Sequence, residues 1–393
     1  MGRNFKIIMV LSMFMFLLAL LGSEALAIPA FARKYSMSCK VCHTPFPKLK
    51  PYGDDFMNNG YVIKGKETPR YYIDTGDNLL SLLRELPIAI RFDGFLSLNN
   101  ANNHRFDFAA PFVIKLLSGG EIAPHISYFL YFLFTEKGEV AGPEDAFIML
   151  NDLFKKPLDI YLGQFQVSDP LFKRELRLTY EDYRIYCTKV GNARADLTYD
   201  RGVMITYSFA RGPDICLEVV NGLGLHPADD VDTFDTDKYK NLLLRLSQKV
   251  NKSLRVGAFG YLGREKQGQV DDQLWMLGGD FTWGLPKLEL NVQYVERRDD
   301  NPYFWVLAPE AIRTRGGFAE LIYLPKADDS RWYTTALFNW VDSQQPDIRY
   351  TSFGLHYGYL VRRNMRATIE GTYVFKSDLG NYFRLGLGLI TGF

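Results

Sequence analysis

Five consecutive residues, Cys39-Lys40-Val41-Cys42-His43, carry the most specific chemistry in the chain. Two thiols at this spacing form thioethers to the two vinyl groups on one edge of a porphyrin. The next residue then brings an imidazole beneath the iron. The pattern predicts one covalent haem c, anchored by Cys39 and Cys42, with His43 as the proximal iron ligand. A bare C-x-x-C also serves thioredoxin-like redox pairs and half of a zinc site. The adjacent His and the lack of a second C-x-x-C weigh against both. The distal position is less defined. Met57 is the first choice and Met37 the second, because a thioether ligand raises the potential of such a haem. His125 or an open sixth position stays in play. No catalytic residue is assigned, since the site implies electron transfer without group transfer.

The segment that must position these residues is short. Phe46, Leu49, Tyr52, Phe56 and Tyr61 offer apolar surface to cover a porphyrin, and Pro45, Pro47, Pro51 and Gly53 break the chain into turns and short helices. Arg33, Lys34, Lys48 and Lys50 are candidate partners for propionates or simply solvated. Residues 28–76 are expected to form this haem module. So small a module rarely folds alone, so it is expected in, or against, the lumen of the structure that follows. Before it, residues 1–27 read as a cleaved signal peptide. Arg3 and Lys6 form the basic region, Ile7 to Leu21 the apolar stretch, and Ala25-Leu26-Ala27 the cleavage site. Export is compatible with haem attachment and with cysteine pairs.

From Leu86 the chain alternates apolar and polar residues in segments of roughly ten, separated by turns rich in Gly, Pro, Asn and Asp. Phe383, Leu385, Leu387, Leu389 and Phe393 share one face; Arg384, Gly386, Gly388 and Gly392 take the other. Phe353, Leu355, Tyr357 and Tyr359 likewise oppose Ser352, Gly354, His356 and Gly358. Short connections, among them 118–120, 211–213 and 361–362, alternate with long ones such as 168–196, 224–238 and 298–310. The fold class expected is therefore all-β: a transmembrane antiparallel β-barrel of about sixteen strands over residues 77–393, preceded by the small irregular or helical haem module. The terminal Phe393 matches the assembly signal of such barrels.

Lys plus Arg number 46 and Asp plus Glu 45, so no basic excess points to nucleic acid. The long segment 168–196 follows the fifth strand and either folds inward as a constriction or stays outside. Cys187 and Cys216 pair only if it dips deeply. Acidic residues cluster in other loops at Asp229, Asp230, Asp232, Asp235 and Asp237, and at Asp299 and Asp300. They either concentrate cations at a pore mouth or are ordinary solvated loop residues.

The junction IPAFARKYSMSCKVCHTPFPKLKPYGDDFMNNGY, residues 28–61, resembles the fused outer-membrane monohaem cytochrome–porin family, including the iron-oxidising outer-membrane cytochromes of Fe(II)-oxidising bacteria. Cys39, Cys42 and His43 match its haem-binding residues; Phe46, Pro47, Leu49, Gly53, Phe56, Gly60 and Tyr61 match the surrounding frame. The resemblance implies an outer-membrane electron conduit, an Fe(II)-oxidising cytochrome. Electrons would pass from extracellular Fe(II), or another outer donor, through the haem to a periplasmic carrier, a cytochrome c or a copper protein. Two alternatives stand beside it: a haem-bearing porin for solute diffusion, and a conduit exporting electrons to extracellular acceptors.

Overall fold

A strand whose outer residues are apolar and whose inner residues are small or polar satisfies lipid on one side and a polar interior on the other, provided that the sheet closes and leaves no edge. The computed structural model, which describes residues 30–63, 76, 80, 86–101 and 106–393, shows that arrangement. The expected signal peptide, residues 1–27, lies outside the described residues, as do Ile28, Pro29 and residues 64–75 of the module.

Sixteen antiparallel strands follow one another around a closed barrel. They are β1 (Ile88–Asn99), β2 (Asp107–Ala123), β3 (Ile126–Glu136), β4 (Gly142–Leu150), β5 (Leu158–Gln166), β6 (Tyr199–Ser208), β7 (Asp214–Val220) and β8 (Asn241–Lys249). The second half comprises β9 (Leu254–Gln267), β10 (Val270–Leu285), β11 (Leu288–Asp299), β12 (Ile312–Tyr323), β13 (Trp332–Ser343), β14 (Tyr350–Arg362), β15 (Met365–Lys376) and β16 (Tyr382–Gly392). β1 closes on β16 in the register Arg91 to Gly392 through Asn99 to Arg384.

The faces fall as the alternation demands. Phe353, Leu355, Tyr357 and Tyr359 point outward and are exposed, whereas Ser352 and His356 between them are buried inside. Such an apolar exterior is the inverse of a soluble sandwich. Aromatic rings gather near both rims. Tyr323 and Trp332 lie 6.1 Å apart and Trp332 and Tyr357 5.8 Å apart at the short-turn end, and Tyr373 and Phe375 lie 4.8 Å apart at the other. One expected turn is displaced. Residues 118–120 continue β2 rather than ending it, and the reversal comes at Pro124-His125. Gly119 and Gly120 pair in register with Phe129 and Tyr128, and the ladder slips only beyond them, at a bulge between Glu121 and Ala123.

Two pieces fill the interior. The first is the N-terminal helical region: α1 (Ala30–Tyr35), a 3-10 turn at Cys39–Val41 and α2 (Pro51–Asn58). The second is the connection 167–198, which crosses the lumen from β5 to the opposite wall and returns to β6. Its Tyr186 hydroxyl donates to Gln293 at 2.9 Å, Arg184 N donates to Asn339 Oδ1 at 3.1 Å, and Tyr180 N and Glu181 N donate to the Glu370 carboxylate at 2.6 and 2.8 Å. Tyr183 stacks on Phe318 with centroids 4.0 Å apart. Of the two placements open from sequence, the loop takes the inward one.

Candidate functional site

The C-x-x-C-H residues fold as a single tight turn. Ser38 caps it, its Oγ accepting from Lys40 N at 3.5 Å, and Cys42 N and His43 N both donate to Cys39 O, at 3.2 and 2.9 Å. Pro51 opens α2, whose missing N–H costs nothing in the first turn. Gly53 then lets that helix lie on the turn: a Cβ there would sit 2.4 Å from Cys42 O. His43 Nδ1 lies 2.9 Å from Pro47 O. A carbonyl only accepts, so Nδ1 carries the proton and Nε2 keeps the lone pair a metal would use. Burial disfavours the imidazolium and holds His43 neutral; burial likewise pushes the thiols of Cys39 and Cys42 up.

Beside this turn a small cleft opens against the barrel rim. Cys39, His43 and Phe46 line it from the module, Leu360 from β14, and Leu324 and Arg363 from the turns after β12 and β14. Thiol, lone-pair imidazole, apolar walls and a guanidinium facing one cleft fit the donor set of a covalently held haem. Arg363 was not legible as part of the site, because a basic residue in a short turn carries no mark of what it will face. Of the basic residues noted in sequence, Lys48 pairs with Glu289 at 2.8 Å, Lys50 pairs with Asp328, and Arg33 donates to Ile88 O. They bind the barrel. Met57 and Met37 are not among the residues lining the cleft. Both pack in the cluster of Tyr35, Phe56 and Tyr61, and Met57 Sδ accepts from Lys173 Nζ at 3.3 Å. His125 lies in the β2–β3 turn.

The module is seated by shape as well as charge. Tyr61 is sandwiched between Phe31, 5.3 Å away, and the lumen-facing Phe129 of β3, 4.8 Å away. Gly60, at φ +68, fits a notch in the wall where a Cβ would meet Asn151 Nδ2 at 2.2 Å and Ser127 Oγ at 2.3 Å. Lys40 pairs with Asp329 at 3.2 Å on the rim. All these contacts lie in the short-turn half of the barrel.

The loop that meets the module at Lys173 is fixed by charge and apolar packing. Lys115 pairs with Glu175, Arg384 with Glu181, and Arg174 with Asp182. Burial opposes ionisation of Asp182, but Arg177 and Arg174 outweigh it and hold the carboxyl down at about 2. Cys187 and Cys216 remain separate thiols although the loop dips inward. Cys187 Sγ lies 3.9 Å from Asp182 Oδ2, whereas Cys216 faces inward from β7.

Electron passage from extracellular Fe(II) to a periplasmic carrier, expected from the resemblance, is overturned on two counts. First, the acidic outer loops build no metal site. Asp229 accepts from Val231 and Thr233 of its own loop, Asp235 pairs with Lys240, and Asp237 accepts from Tyr239 N and Lys266 N. Among the described residues no group of three or more His, Cys, Asp or Glu side chains is arranged to hold a metal ion. The Cys39–His43 turn, moreover, is at the rim opposite those loops, across an apolar belt of ~25 Å. Second, the fold matches channels. No family model and no curated protein matches this sequence. Among solved structures, the outer-membrane channel DcaP of Acinetobacter baumannii is similar with a TM-score of 0.58 and 12% identity, over 79% of this chain and 97% of that one. The anion-selective porin of Comamonas acidovorans gives 0.56 and 9%, over 79% and 99%. A loop-deletion mutant of OmpT from Vibrio cholerae gives 0.55 and 12%, over 79% and 99%. At such identities the likeness is one of fold: the chain is a sixteen-stranded β-barrel of the kind found in outer-membrane porins.

Proposed function

We propose that the chain is a porin-type diffusion channel of the bacterial outer membrane, narrowed by its inward loop and covered at the short-turn mouth by its N-terminal module. The observation that carries this is the closed barrel with an apolar exterior whose fifth connection crosses the lumen, at the position where a porin constricts. Lipid is the partner of the outer face, and the short turns face the periplasm.

The module takes one haem c, with Cys39 and Cys42 as thioether anchors and His43 as proximal ligand. A haem held there supplies apolar bulk and a fixed iron–imidazole bond, both of which a module of this size lacks. The protein does the rest. Pro47 O orients the imidazole, Arg363 faces the cleft from the barrel, and Phe46 covers it.

The test is conductance of the purified full chain in planar bilayers, alone and with Gly60→Ala, which unseats the module. Discrete channel steps, larger or more frequent in the variant, are expected. Absence of channels in both proteins, each shown to be inserted and heat-modifiable, would refute the assignment.

A further inference from the structure

Most charges inside the barrel are matched. Arg245 pairs with Asp280 at 2.7 Å, Arg297 with Asp299 at 2.6 Å, and His356 with Glu370 at 2.9 Å. The wall of β4 to β7 differs. Glu218 on β7 faces inward, is fully buried, and neither of its carboxylate oxygens has a hydrogen-bond partner. Asp145 on β4 is 7% exposed, and its Oδ1 has none. Asp169, at the start of the inward loop, lies within electrostatic range of both. The bases that could offset them are engaged elsewhere: Lys115 with Glu175, Arg174 and Arg177 with Asp182. The loop's Lys173 is the exception. Its Nζ stands 3.8 Å from Asp169 Oδ2, with Met57 of the module on another side.

An unpartnered carboxylate in a low-dielectric interior costs several kcal/mol, and folds keep such groups where ions or substrates pass. We infer that the passage beside the inward loop selects cations, with Asp145, Asp169 and Glu218 as the selecting wall and Lys173 as a tethered ammonium in the cations' place. This rests on the channel assignment above and names its substrate class: small cations and cationic solutes rather than anions. A permeating cation would supply the counter-charge that the closed structure withholds from Glu218, and module movement would carry Met57 away from Lys173.

The test is the reversal potential of the full chain in planar bilayers under a KCl gradient. The wild type should favour K⁺ over Cl⁻. Glu218→Gln with Asp145→Asn should lower that permeability ratio by about threefold or more, since two of the three wall carboxyl groups go. Lys173→Gln should raise it, because the competing ammonium is removed. Each variant is checked for heat-modifiable mobility; the amide pair should fold at least as well, since both carboxyl groups are buried with oxygens that lack a partner. Open channels that favour Cl⁻, or a ratio unmoved by the double variant, would overturn the inference while leaving the channel intact. Silence of both the wild type and Gly60→Ala would overturn the channel assignment, and this inference with it.

Discussion

Gly60→Ala is the sharpest perturbation of how the module is held. Gly60 has φ +68, in the left-handed region, where an L side chain costs about 1–2 kcal/mol. Its Cβ would stand 2.2 Å from Asn151 Nδ2 and 2.3 Å from Ser127 Oγ. Those two atoms are themselves hydrogen-bonded at 2.7 Å and cannot both retreat without breaking that bond, so overpacking adds about 1–3 kcal/mol. Together the substitution shifts the seated–unseated equilibrium by about 2–5 kcal/mol, or about one and a half to three and a half powers of ten. The assay is limited trypsin digestion of the inserted protein, followed by mass analysis. Lys48, paired with the barrel and followed by Leu49, is protected when the module is seated and cut when it is not; the Lys50–Pro51 bond resists trypsin in both states. Cleavage between residues 33 and 50 should rise sharply in Gly60→Ala while the barrel stays heat-modifiable. In a Ser127→Ala/Asn151→Ala background the clash is gone, and only the backbone strain of about 1–2 kcal/mol should remain. Equal protection in wild type and Gly60→Ala, or no relief in the triple variant, would refute the notch as the seat.

Cys39→Ala with Cys42→Ala should leave an inserted, heat-modifiable barrel without a covalent haem stain on a denaturing gel; a stain that persisted would place attachment elsewhere. Exchanging Lys48 and Glu289 by charge reversal should weaken docking in each single variant and restore it in the pair. The coupling should be about 1 kcal/mol, because both side chains are partly exposed. The loop should resist acid: with the Asp182 carboxyl held at about 2 rather than 3.8, its ion pairs are fully present above about pH 4 and lost as pH falls through 2. Loop release at pH 5, read by new proteolytic sites in 170–190, would contradict that.

Strand number, order and facing were legible because a barrel wall repeats one rule at every position: apolar outside, small or polar inside. Phe383 to Leu389 on β16 show it in sequence and in place. The C-x-x-C-H motif stands out in sequence for the opposite reason, since the chemistry it points to is local to five residues. What failed to show was long-range. Gly119 and Gly120 look like a turn, yet they stay in β2, because pairing with Phe129 and Tyr128 of β3 outweighs local propensity. Arg363, 320 positions beyond His43, meets the cleft only through barrel closure. Met57, chosen for its sulfur, is packed by the module's own aromatic cluster against Lys173 of the loop. The acidic outer loops read either as a cation funnel or as ordinary solvated residues; in place, Asp229 and Asp237 accept from backbone N–H groups and Asp235 pairs with Lys240. Among the described residues, Glu218 on β7, with neither carboxylate oxygen partnered, and Asp145 on β4, with Oδ1 unpartnered, lie inside, where sequence shows only one inward position among several.

The two pieces inside the barrel are not held alike, and the difference decides which one moves. The inward loop is part of the core: Tyr183, Ile185 and Tyr186 are buried against Phe259, Tyr261, Met276 and Phe318, and Glu370 takes two of its backbone N–H groups. Opening it would expose several buried side chains at about 1.5–3 kcal/mol each and break hydrogen bonds besides. The module is seated by one aromatic sandwich, one glycine notch and a set of ion pairs on the rim. Of those pairs, Lys40–Asp329 and Lys50–Asp328 are exposed enough to contribute at most about 1 kcal/mol each. The weaker attachment releases first, so on the proposed channel reading the mouth, and not the constriction, controls passage.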